Sequence, residues 1–135
     1  IENIPNEIST LERISEFMKV AGLPDLRICY DSGHSHLEGP VGRLDRVGAI
    51  HLHDNTGELD DHLWPFDGTF DWVRLVRELV VSDCSAPLIF EVSDERIERG
   101  WEIVERLEEM LALARSSIDE FQMKYDLRSD DIDLH

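Results

Sequence analysis

Basic residues are scarce: 13 lysines and arginines face 30 acidic residues in this 135-residue chain, a formal charge of −17. Affinity for nucleic acid comes largely from Lys and Arg neutralising phosphates, so this balance makes DNA or RNA an unlikely partner. Cysteine is nearly absent. Cys29 and Cys84 alone occur, in apolar contexts without metal-ligand spacing, which excludes a disulfide framework and suits reduced thiols in a cytoplasmic protein. Apolar runs are short, none near the roughly 18 residues of a membrane span, so no membrane partner is expected. An initiator Met and a signal peptide are also missing: the chain opens on Ile1 inside an apolar stretch, which reads as a cut.

Four short apolar runs have the length of strands: Ile1 to Ile4, Leu26 to Tyr30, Ala49 to His53 and Pro87 to Val92. Their near-continuous apolarity suits parallel strands covered by helices. Between them, Ile8, Leu11, Ile14, Phe17 and Met18 recur at helical spacing, and Gly22-Leu23-Pro24 stops that helix. Phe70, Val73, Leu75, Val76 and Leu79 predict a second helix, and Ile97, Trp101, Val104, Leu107, Leu111 and Ala114 a third over 94–116. A short helix is expected within 39–47. Repeated βα units of this kind imply an α/β fold with a parallel sheet. Since a full (β/α)8 barrel needs about 250 residues, residues 1–116 read as half of a TIM-type barrel. Residues 117–135 read as an acidic C-terminal extension.

Five of the six histidines (His34, His36, His51, His53 and His62) fall in one stretch and alternate with carboxylates. Clusters of His with Asp or Glu are ligand sets for zinc, manganese or iron. Asp31 closes one run, His51 and Glu91 lie near the ends of two others, and Glu2 belongs to the first. In a parallel barrel, polar groups at the C-terminal strand ends converge on the active-site mouth, so these residues from four successive strands can surround one ion. Alternation puts His51 and His53 on one face with Ile50 and Leu52 on the other, and Glu91 with Ile89, leaving Leu88, Phe90 and Val92 for the helices. The competing reading makes Glu91 a salt-bridge partner, His36 and His53 solvated or supporting groups, and Asp54 and Asn55 turn formers.

These motifs resemble the xylose-isomerase-like barrel superfamily, which joins sugar isomerases and epimerases to apurinic endonucleases. Glu2-Asn3-Ile4-Pro5 looks like the end of its fifth strand, Asp31-Ser32-Gly33-His34 its Asp-x-Gly-His motif after the sixth, and Ile50-His51-Leu52-His53-Asp54-Asn55 its seventh. Asp60-Asp61-His62 resembles a loop motif, and Ile89-Phe90-Glu91-Val92 the eighth strand. The resemblance implies strands five to eight only, with the N-terminal barrel half in the same or another chain and homo-oligomers possible. It implies Glu2, Asp31, His51 and Glu91 as ligands of a divalent ion (Mn2+, Co2+ or Zn2+), with Glu2 and Glu91 also the catalytic acid and base. The implied function is a cytoplasmic isomerase or epimerase that moves a proton of a sugar or sugar phosphate through an enediolate. His34 would then contact the substrate. In the endonuclease branch, His34, Asp60 and His62 resemble ligands of a further zinc, which keeps a metal phosphodiesterase as an alternative. A catalytically silent metal-binding barrel half is another. The family's Gly-Glu-Gly-Thr-Ile-Asp-Trp pattern is replaced by Phe66-Asp67-Gly68-Thr69-Phe70-Asp71-Trp72, so the aromatic Trp64–Phe66 segment is expected either to cover the pocket or to plug the barrel rim.

Overall fold

A computed structural model describes residues 1–39, 44, 46–94 and 96–129. Its elements run α1 (Leu11–Val20), β1 (Ile28–Asp31), α2 (Ser32–Glu38), β2 (Val47–Leu52), α3 (Trp72–Val81), β3 (Leu88–Phe90) and α4 (Ile97–Ser129). The three strands pair in the order β1-β2-β3, parallel throughout. The expected strand at Ile1 to Ile4 is reduced to one parallel bridge, Glu2 to Cys29, with the Cys29 N–H donating to the Ile1 carbonyl. Pro5 follows at once and cannot extend the ladder.

Helix starts follow from side-chain caps. Thr10 and Asp71 cap α1 and α3 by accepting from the Arg13 and Arg74 amides, satisfying donors that a first helical turn leaves free. Asp31 does the same for His34, so a short helix begins directly after β1 at Ser32; most of the segment 39–47, where a short helix is expected, lies outside the described residues. Helix α4 extends to Ser129, beyond the helix end expected at residue 116, and so includes much of the segment read as an acidic extension.

The core lies between one face of the sheet and the helices. Tyr30, Ile50 and Leu52 meet Trp72, Leu75, Val76 and Leu79 of α3 and Ile103 and Leu107 of α4, while Ile14 and Met18 of α1 pack on Ile28. Phe90 and Val92 join this core as expected, but Leu88 is 40 % exposed because β3 is an outer strand. The opposite face stays open: Ile89 is 45 % exposed. Among the described residues no helix is long and apolar enough to cross a membrane. Cys29 and Cys84 are not bridged.

Candidate metal centre

The C-terminal ends of the strands carry the polar cluster. Register sets Asp31 beside His51 and His51 beside Ile89, and the Glu91 N–H extends the β2–β3 ladder by donating to the Leu52 carbonyl. Glu2 is held from the other side by its neighbour. The Asn3 amide accepts from the Asp31 N–H (2.8 Å) and donates to the Asp31 carbonyl (3.2 Å), replacing a strand partner with a side chain.

Glu2, Asp31, His51 and Glu91 each direct one ligand-type atom into a common space, all within 4.8 Å of one another. His51 Nδ1 stands 2.7 Å from Glu91 Oε2, 3.3 Å from Glu2 Oε1 and 3.7 Å from Asp31 Oδ2. Yet Asp31 Oδ2, His51 Nδ1 and Glu91 Oε2 are buried atoms without a hydrogen-bond partner. Buried polar atoms are normally satisfied, so three orphans aimed at one point need an explanation. A divalent ion would supply one: three carboxylates and one imidazole are a hard-to-borderline donor set that fits manganese, cobalt or zinc.

A second cluster adjoins the first. Asp60 Oδ2 lies 3.2 Å from His34 Nε2 and 3.3 Å from His62 Nε2. The far nitrogens are fixed by backbone carbonyls, His34 Nδ1 at 2.9 Å from that of Asn3 and His62 Nδ1 at 2.8 Å from that of Glu91. This leaves both Nε2 atoms facing Asp60. His62 has φ +50°, a conformation unusual for a side-chain-bearing residue. His53 lies beneath, fully buried, its ring stacked on that of His62 at 4.0 Å.

Electrostatics follow the contacts. Burial resists ionisation of Asp31, but hydrogen bonds from the His53 ring and the His34 amide outweigh it and hold the carboxyl below its ordinary value. Burial likewise opposes charge on His34, while Asp31, the Asn3 carbonyl and Asp60 raise its pKa overall. For His62, burial is outweighed by the Glu91 carbonyl and by Asp60.

Asp54 and Asn55 do more than form a turn. The Asp54 carboxylate accepts from the Asn55, Phe66 and Phe70 amides and from Trp72 Nε1 at 2.7–3.1 Å, and the Asp54 backbone pairs with Leu63. These bonds pin the loop that carries Asp60 and His62. Gly68 is required there, since a Cβ would stand 2.3 Å from Asp54 Oδ1. Phe66 packs on Trp72, and the Arg106 guanidinium sits 3.8 Å above its ring. Its φ is +74°, the left-handed conformation that glycine supplies without strain. Trp64 is buried and packs edge-on to Phe90. His36 stays outside both clusters, edge-on to Phe70. The roles of Asn3 and Asp54 were hidden in the sequence, their only signal being polar type beside a strand end, whereas a supporting place for His53 was one of the two readings open to it.

A family model described as xylose isomerase-like TIM barrel matches residues 1–117. An uncharacterized protein of Sinorhizobium fredii is 42 % identical over 103 residues, covering 65 % of this chain and 33 % of that protein. An uncharacterized protein of Methanocaldococcus jannaschii is 28 % identical over 115 residues, 82 % of this chain and 45 % of its own length. Among solved structures, a D-tagatose 3-epimerase-like protein superimposes with TM-score 0.64 at 22 % identity, over 82 % of this chain and 46 % of that one. A xylose isomerase domain protein from Alicyclobacillus acidocaldarius gives 0.66 at 23 %, over 84 % and 50 %. These structures establish the likeness of fold. The chain spans a third to a half of the length of the proteins it matches.

Proposed function

The chain belongs to the xylose isomerase-like TIM barrel family, and from that membership we propose a divalent-metal-dependent isomerase or epimerase of a small sugar or sugar phosphate. The observation that carries the reading is the convergence of Glu2, Asp31, His51 and Glu91 with three unpartnered buried atoms among them. In this reading the Glu2 segment, β1, β2 and β3 are strands five to eight of a barrel, completed by an N-terminal half in the same or another chain.

These four residues hold one Mn2+, Co2+ or Zn2+ ion. When bound, the ion supplies positive charge that stabilises an enediolate. The chain's own groups move the proton. Glu2 and Glu91 approach His51 from different segments and their side chains remain 33 % and 44 % exposed, open to a ligand. One takes the proton from the carbon beside the carbonyl and the other returns a proton to the product, the division of labour that a paired acid and base requires. His34, whose Nε2 faces Asp60, contacts or orients a substrate oxygen.

A phosphodiesterase is the second reading, favoured by the His34–Asp60–His62 cluster and opposed by the charge of −17. Exchange separates the two. With its barrel completed and loaded with Mn2+, the protein should carry deuterium from heavy water into a carbon-bound position of a ketose or its phosphate. Metal-dependent cleavage of a duplex containing an abasic site, with no exchange across a ketose panel, would replace the isomerase by the nuclease. Metal uptake with neither reaction would indicate a silent half.

A further inference from the structure

We propose that His53 is a positioning residue of the metal centre, fixing one oxygen of Asp31 so that only the other faces the ion. This role rests on the metal-centre reading above. Each residue of Asp31-Ser32-Gly33-His34 is built around His53. Asp31 Oδ1 accepts from His53 Nε2 at 2.8 Å. Ser32 Oγ donates to the His53 carbonyl at 2.7 Å and accepts from its N–H at 3.0 Å. Gly33 leaves the ring its space, because a Cβ there would lie 2.0 Å from His53 Cε1. The His34 ring meets it edge-on at 5.6 Å.

Asp31 Oδ1 also accepts from the His34 N–H, so that oxygen is committed to two donors. Oδ2 is buried and unpartnered, which makes Asp31 a one-oxygen ligand. His53 lies within reach of the His34–Asp60–His62 cluster as a fourth candidate ligand, but two observations favour the positioning role instead. Its Nε2 is engaged with Asp31, and its ring is parallel to that of His62, 4° apart at 4.0 Å. An ion in the plane of one ring would lie out of the plane of the other. His53 therefore links the two clusters without joining either: an N–H to Asp31 on one side, a stacked face under His62 on the other.

Residues that orient metal ligands typically change affinity by about 10–100-fold when lost. His53→Gln keeps an N–H at similar reach, whereas His53→Met fills similar space without a donor. Mn2+ titration of the full chain should show the Met variant weakened by roughly 10–100-fold and the Gln variant within about threefold of wild type. Co2+ should absorb more weakly in the visible in the Met variant alone, because a freed Asp31 carboxylate can bind through both oxygens. Metal-free thermal melts establish that each variant folds. A Met variant that binds as wild type overturns the role, as does a Gln variant as weak as the Met variant. Should the Met variant not fold, a Gln variant weakened more than about tenfold overturns it. Wild-type protein that binds no Mn2+ overturns the metal-centre reading itself, and this role with it.

Discussion

His51 Nδ1 and Glu91 Oε2 lie 2.7 Å apart and yet are not hydrogen-bonded to each other. A neutral imidazole and a carboxylate at that distance normally share a proton along the line between them. Here both atoms turn toward the space shared with Glu2 and Asp31. A cation held in that space would account for the placement of both atoms and would offset the mutual repulsion of three carboxylates.

Asp54 is expected to be the main anchor of the site loop. Replacing it by Leu strips four N–H donors of their acceptor. Each unsatisfied buried group costs about 1–3 kcal/mol, so the total loss should be about 3 kcal/mol or more. Urea unfolding of Asp54→Leu against wild type measures it. A midpoint unchanged within error would show that the loop is held by its aromatic contacts alone.

Gly33→Ala should be as damaging as a change of ligand, although Gly33 offers no side chain to an ion. The added carbon must displace the His53 ring, and with it the donor to Asp31. Reduced Mn2+ affinity together with a lowered melting temperature is expected. In Gly57→Ala the new carbon meets His36 at an ordinary 3.5 Å, so the change leaves the metal centre alone; its left-handed φ of +85° costs some stability.

Metal-free protein should respond to pH through His34 and His62. Both are raised above the ordinary histidine value, so their contribution to stability is full below about pH 6.5 and is lost as pH rises through their folded values. Asp31 is lowered, so its contribution persists above its ordinary value and is lost only in acid. Metal binding requires deprotonated ligands and runs the other way, tightening as pH rises. Melting curves with and without Mn2+ between about pH 5.5 and 8.5 should therefore diverge toward the alkaline side. Parallel curves would contradict this.

Much of this was legible in the chain. Parallel βα order, the buried helix stripes and the strand-end placement of Asp31, His51 and Glu91 follow from apolar period and turn signals, because those patterns report burial directly. Side-chain substitutions for backbone were not legible. Asn3 serves as a strand partner 28 residues away from Asp31, a pairing that no local pattern encodes. His53 shares the parity of His51, but the ladder ends at Leu52, and the chain beyond carries the His53 ring beneath Asp31. The left-handed backbone of Phe66 and its ring contacts with Trp72 and Arg106 were not legible either, since they join segments distant in the chain.

The half-barrel reading makes its own claim on behaviour in solution. Ile4 and Ile8 beside the Glu2 segment, Leu88 and Ile89 of β3, and Trp101 of α4 are all exposed. An open sheet edge with bare apolar residues is prone to association. Sedimentation of the isolated 135-residue chain should reveal self-association, relieved by a complementary barrel half. A stable monomer in dilute solution would count against the reading.

Metal content tests the central claim most directly. Glu91→Gln keeps the shape of the side chain and removes the charge that faces His51 Nδ1. Wild-type protein equilibrated with Mn2+ and freed of excess should retain one ion per chain at the Glu2–Asp31–His51–Glu91 centre, and Glu91→Gln should retain markedly less. Equal metal content in the two proteins would contradict the assignment of that centre.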